Sequence, residues 1–274
     1  AFAFITGFYG TRFKWSKASL LLGVGMFASV VLWGAGNCLL DGGAAYRFSL
    51  GWFGNSYLAL LLVVPFVNAA VEKLSRDVRA FRMAYGCYCA AMLIAWLPTV
   101  SRFDVCPAGW FGHSFNTLLF LYVTGRYLTV CDLSKVGTRT LGCCFVLCLI
   151  CHVAFVGGIN YILPVQWLPS LNQLRDFNAP WLLLAAILIV ILFSRVKLPR
   201  LLDRVAGLLA PSMFAVYLLH EGCNPAVSRA LYAKFGLGQG LAGCLVTAVM
   251  VFLICLALDS LRRAVRQCIK MRRT

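Results

Sequence analysis

Pro211-Ser212-Met213-Phe214-Ala215-Val216-Tyr217-Leu218-Leu219-His220-Glu221-Gly222-Cys223-Asn224-Pro225 is an apolar, helix-like run that closes on an imidazole and a carboxyl. The Gly, Asn and Pro that follow read as a turn. His220 lies sixteen positions beyond Arg204, the last basic residue before the run, which is about 24 Å at 1.5 Å per helical residue. A hydrocarbon core is about 30 Å thick, so His220 and Glu221 are expected near its far face. Ionisable groups at that depth are costly, which implies a functional position turned toward other helices or a cavity. The plainer alternative is that both side chains reach interfacial water.

The rest of the chain has the same character. Of 274 residues, 61% are apolar and 12% charged, a balance that excludes a soluble globule. The apolar runs recur too often for any of them to be a removable signal peptide. They predict an all-α, polytopic transmembrane bundle with a partial span at 1–10. Helices follow near 18–36, 52–71, 83–100, 114–128, 140–158, 179–195, 206–221 and 240–260. The chain opens inside an apolar stretch too short to cross a membrane. It therefore reads as a single domain, residues 1–274, lacking a first helix, with about nine spans of an expected ten.

The net charge of +16 does not indicate nucleic acid, because the basic residues fall in alternate connections. Segments 11–17, 73–82, 126–139, 195–204 and 262–273 hold twenty of the 25 Lys and Arg residues. The other set holds only Arg47, Arg102, Arg175, Arg229 and Lys234. By the positive-inside rule the rich set, and with it the C-terminal tail, is cytoplasmic. The tail after Asp259 reads as a basic juxtamembrane helix whose partner is membrane lipid. Outer connections are expected at 37–51, 101–113, 159–180 and 222–240. Trp52, Trp110, Trp167 and Trp181 flank them as interfacial anchors or as stacking surfaces for carbohydrate.

Thirteen cysteines suggest a disulfide framework until they are placed. Most lie in apolar runs, where Cys serves as a small hydrophobe. Cys38, Cys106 and Cys223 fall in expected outer connections, where a bridge is conceivable. Cys143, Cys144, Cys148, Cys151 and His152 have helical spacing rather than that of paired metal knuckles, and no metal site is assigned.

No phosphate loop, zinc-protease helix, nucleophile elbow or dinucleotide fingerprint occurs. Chemistry is left to scattered polar groups: Asn55, Tyr57, Asn68, Asn116, Tyr122, His152, Tyr217, His220 and Glu221. Asn55, Asn116 and His220 are expected at one depth, which suggests either a shared pocket or interhelical hydrogen bonding. Arg12, Lys14 and Lys17, and separately Arg76, Arg79 and Arg82, form inner basic clusters. These suit either the phosphates of a nucleotide-bearing donor or anionic lipid.

Five stretches resemble a known family. They are Phe2-Ala3-Phe4-Ile5-Thr6-Gly7-Phe8; Trp52-Phe53-Gly54-Asn55-Ser56-Tyr57 with Pro65-Phe66-Val67-Asn68; Ser114-Phe115-Asn116 through Leu121-Tyr122-Val123-Thr124-Gly125-Arg126-Tyr127; Phe177-Asn178-Ala179-Pro180; and Phe214-Ala215-Val216-Tyr217-Leu218-Leu219-His220-Glu221. In this order they are similar to motifs of the acyltransferase-3 integral membrane acyltransferases, in the branch that O-acetylates exopolysaccharide and surface glycans. Thr6 stands where the family has Ser, and the family's Arg-x-x-Arg motif is not matched at 11–17. The resemblance implies ten spans in a bacterial plasma membrane. It implies acyl transfer from cytoplasmic acyl-CoA, usually acetyl-CoA, to a sugar hydroxyl of a surface or lipid-linked polysaccharide.

On this reading the main catalytic His belongs to a helix before Ala1, so the fragment by itself is expected to be inactive. His220 and Glu221 support catalysis, Asn55, Tyr57, Asn116 and Tyr217 bind substrate, and Arg12, Lys14 and Lys17 meet the donor phosphates. The alternative is a multi-pass transporter or flippase of a glycan precursor, with His220 and Glu221 as a proton relay.

Overall fold

The computed structural model describes residues 2–10, 14–15, 18–19, 21–27, 29–30, 51–101, 115–131, 135–162, 179–236 and 240–271. Among them the fold is all-α, without a strand. The helices are α1 (Phe2–Phe8), α2 (Gly51–Leu74), α3 (Val78–Ser101), α4 (Phe115–Val130), α5 (Thr138–Ile162), α6 (Pro180–Ser194), α7 (Arg200–Phe235) and α8 (Leu241–Met271). The described residues from 18 to 30 are helical as well. Long apolar runs take this form because hydrocarbon offers the backbone no hydrogen-bond partners, so each segment must satisfy its own. Stretches Phe53–Leu74, Thr138–Val156, Arg200–His220 and Leu241–Ala264 are long and apolar enough to cross a bilayer, and the molecule is a membrane protein.

Local chemistry sets the ends. Asp77 Oδ1 accepts the backbone N–H groups of Arg79 and Ala80 at 2.9 and 3.1 Å, capping the start of α3. Pro180 opens α6, where its missing N–H costs nothing. Gly236, at φ 62°, ends α7 in the left-handed region and returns its N–H to the Tyr232 carbonyl.

The chain divides into two compact units, one of Ala1–Lys14 with Asn55–Lys197 and one of Trp15–Gly54 with Leu198–Thr274. In the first unit α1 packs on α4, α3 on α4, and α5 on α6. The α1·α4 crossing is made by backbone. A Cβ on Gly7 would stand 2.1 Å from the Tyr122 carbonyl oxygen, and one on Gly125 would stand 2.5 Å from that of Phe4. Only glycine permits this approach, the usual device where membrane helices associate without a hydrophobic drive between them. Beside it, Tyr85 stacks on Tyr127 with ring centroids 4.0 Å apart, and Phe81 meets Tyr127 edge-on. At the base of α5, the Arg195 guanidinium donates to the Val136 carbonyl at 2.6 Å.

In the second unit α7 packs on α8. The chain reverses between Gly236 and Gly240, so the two helices run antiparallel. Leu219 and Cys223 meet Val251 and Cys255 in a buried core, with Val216, Val227, Ile254 and Leu258 around it.

The expected helix at 206–221 and outer connection at 222–240 are corrected here, because α7 continues from His220 to Phe235. Cys223, Val227 and Leu231 extend the apolar face of Val216 and Leu219 along α8, and that packing overrides the turn signal of Gly222, Asn224 and Pro225. Cys223 is therefore a core residue and not an outer one. The expected connections at 37–51, 101–113 and 159–180 fall largely outside the described residues, as do Cys38, Cys106, Trp110 and Trp167 and the side chain of Trp52.

Candidate functional site

The first unit holds a polar network made by the stretches that carried the family resemblance. Thr6 donates its hydroxyl proton to the Ala3 and Phe2 carbonyls, at 2.9 and 3.1 Å. Its lone pairs therefore accept the hydrogen bond that joins it to Tyr57. Tyr122, wholly buried, donates to Asn68 Oδ1 at 2.8 Å. Tyr85 donates to Thr124 Oγ1 at 3.0 Å, and Thr124 passes its own proton to the Phe120 carbonyl at 2.8 Å. Three helices are thus tied by hydroxyl groups whose protons have defined destinations.

Arg126 follows on α4, and its Nη1 would lie 2.9 Å from a Cβ on Gly10, a residue at φ 65°. Its Nε is buried without a hydrogen-bond partner among the described residues.

His152 belongs to the same unit and is committed. Trp181 Nε1–H donates to His152 Nδ1 at 2.8 Å, and the indole packs on Phe155 at 4.6 Å. An indole N–H can only donate, so His152 Nδ1 is the acceptor and its Nε2 carries the proton. Trp181, expected as an interfacial anchor or a sugar platform, instead joins α6 to α5.

In the second unit Tyr217 packs edge-on against Phe53 at 4.5 Å, with Phe214 6.2 Å from the same ring. The Tyr217 and His220 rings are 5.2 Å apart. His220 Nδ1 is hydrogen-bonded to the Tyr217 carbonyl. A carbonyl only accepts, so Nδ1 carries the proton of the neutral ring and Nε2 presents a lone pair. This is the opposite tautomer to His152.

The packing also moves His220 from its expected place. Cys223 is hydrogen-bonded to Cys255, and Leu219 shares a cluster with Leu258. Residues three before Cys223 and three after Cys255 then lie at one level, which puts His220 within about a turn of Leu258 and Asp259. His220 therefore stands toward the arginine-bearing end of α8, and not near the far end of that helix's apolar run. The earlier placement counted residues along α7 alone, whereas its register against α8 decides the depth.

That end of α8 is built on a buried carboxylate. Asp259 is 0% exposed. Its Oδ1 accepts from Arg262 Nε at 2.8 Å and lies 2.6 Å from Arg262 Nη2. Arg263 Nε stands 3.3 Å from Oδ2 as an ion pair without hydrogen-bond alignment. The i, i+3 and i, i+4 spacing of an acid and two arginines was the available signal for this clamp.

Of the other expected site residues, Asn55 and Asn116 are exposed and Tyr57 and Tyr217 half-buried. Lys14 is exposed, while Arg12, Lys17 and the Glu221 side chain lie outside the described residues. The structure brings together Tyr217 and His220, and it joins Tyr57 to Thr6. Comparisons with family models, curated proteins and solved structures return no match to this chain.

Proposed function

We propose that this protein is a membrane O-acyltransferase that moves an acyl group, in the first instance acetyl, from cytoplasmic acyl-CoA to a sugar hydroxyl of a surface or lipid-linked polysaccharide. The observation that carries the reading is His220, whose Nδ1 proton is held by the Tyr217 carbonyl so that Nε2 offers a lone pair. Acyl transfer needs such a group. Nε2 takes the hydroxyl proton as the sugar oxygen attacks the thioester carbonyl, and the tetrahedral intermediate then collapses. The thiolate leaves with the proton that the imidazolium returns, giving an ester and a free thiol.

The level of His220 supports the donor side. It stands near Asp259, Arg262 and Arg263, and by the charge alternation that end is the cytoplasmic one, where acyl-CoA is found. Arg12, Lys14 and Lys17 belong to the same charge-rich set and remain the residues proposed for the donor's phosphates. The likeness of the motif-bearing stretches to the acyltransferase-3 family adds a second support, since their members Thr6, Tyr57, Asn68, Tyr122, Gly7 and Gly125 are the residues that tie the first unit together. A bacterial plasma membrane is the setting this implies.

Membranes containing the protein are to be supplied with acetyl-CoA labelled in its acetyl group. Alkali-labile label in the polysaccharide, absent from membranes without the protein, is the expected result. A glycan transporter forms no such ester, so unlabelled polysaccharide rejects the assignment.

A further inference from the structure

The α7·α8 seam contains two thiols that acyl transfer does not use. Cys223 and Cys255 come from different helices, share one buried cluster with Leu219 and Val251, and are 8% and 0% exposed. A side-chain hydrogen bond joins them. Both are unoxidised. A disulfide requires Cβ atoms about 3.8 Å apart, a distance that facing core positions of two packed helices approach. Cys144, Cys148 and Cys151 follow one another along α5, so a bond among them would restrain one helix alone.

We propose that Cys223 and Cys255 form a modification site, a redox staple across α7 and α8 that closes on exposure to a hydroperoxide. Cys223, the more accessible of the two, attacks the peroxide as thiolate. The O–O bond breaks, and a sulfenic acid and one water form. The Cys255 sulfur then displaces the second water, so that two thiols lose two electrons to the peroxide and one S–S bond is made. The bond lies one turn from His220 and fixes that turn of α7 against α8. The inference stands on the packing of the seam and is independent of the acyl-transfer reading.

The test uses the protein in membranes with Cys223 and Cys255 as its only cysteines and a protease site placed at 237–239. After hydrogen peroxide and cleavage, the two fragments are expected to stay joined on a non-reducing gel and to separate with dithiothreitol. Cys255→Ser should abolish the joined species. Fragments that separate after peroxide, with both thiols still reacting with maleimide once denatured, overturn the proposal. Should the cysteine-depleted protein fail to accumulate, peptide mass spectrometry of the otherwise unaltered protein decides the matter. A Cys223–Cys255 linked peptide after peroxide supports the staple, and its absence overturns it.

Discussion

The two compact units handle polar groups in opposite ways. In the first, helices α1 and α4 touch through backbone at Gly7 and Gly125, and nearly every polar side chain around that contact has its proton or lone pair spoken for. His152 belongs to this pattern, with Nδ1 filled by an indole N–H. In the second, helices α7 and α8 meet through side chains, and His220 has its proton pinned on Nδ1 and its lone pair on Nε2. A histidine inside a membrane bundle is therefore not informative by itself. The group against Nδ1 determines whether Nε2 is a donor or a base.

The largest effect should come from breaking the backbone contact. Gly7→Ala puts a methyl group 2.1 Å from a carbonyl oxygen that cannot move without its helix. A loss of about 3 kcal/mol is expected, read as a fall in the thermal unfolding midpoint in detergent. Gly207→Ala is the matching change in the second unit, where nothing lies within 4 Å. There the better helix propensity should stabilise by about 0.5 kcal/mol. Equal destabilisation by the two substitutions would remove the distinction between the units.

Asp259→Ala comes next. It leaves Arg262, whose side chain is 16% exposed, without its carboxylate, while Arg263 at 37% finds water more readily. About 2 kcal/mol is expected, below the range for a fully enclosed pair because water reaches the arginines. The loss should shrink in the Asp259→Ala, Arg262→Met double variant, in which no buried cation is left unpaired. The measurement is again the unfolding midpoint.

Smaller effects sharpen the comparison inside the first unit. Tyr122→Phe removes the donor to Asn68 and should cost about 1 kcal/mol, in keeping with hydrogen bonds between membrane helices. Trp181→Phe keeps an aromatic ring against Phe155 but releases His152 Nδ1, at a cost of about 0.5 kcal/mol. With the indole gone, His152 is able to exchange tautomers. Imidazole nitrogen shifts should then move away from the single Nε2–H form expected of the unaltered protein.

Much of the helical framework was legible in the sequence. Apolar runs bounded by basic or turn-forming residues place α2, α3, α4, α5 and α6 within a few positions of where they lie, because hydrocarbon leaves the backbone no other solution. What depends on the register of one helix against another was not legible. Gly222, Asn224 and Pro225 carry a turn signal, but Cys223, Val227 and Leu231 pack along α8 and hold the helix through it. The same register brings His220 toward Asp259, which no count along α7 reveals. Gly7 and Gly125 stood out only as motif members, and their close approach needs both helices in view. His152 and Trp181 were each noticed for the wrong reason, since indole and imidazole come together only when α6 lies on α5.

The central claim is that His220, and not His152, is poised as a base. It is tested most directly by the rate of acetyl transfer to polysaccharide for His220→Gln and His152→Gln at equal membrane abundance. The account predicts a fall on the order of a hundredfold or more for His220→Gln, the scale of a lost general base, with His152→Gln close to the unaltered rate. Undiminished transfer by His220→Gln, or an equal loss in both variants, would contradict it.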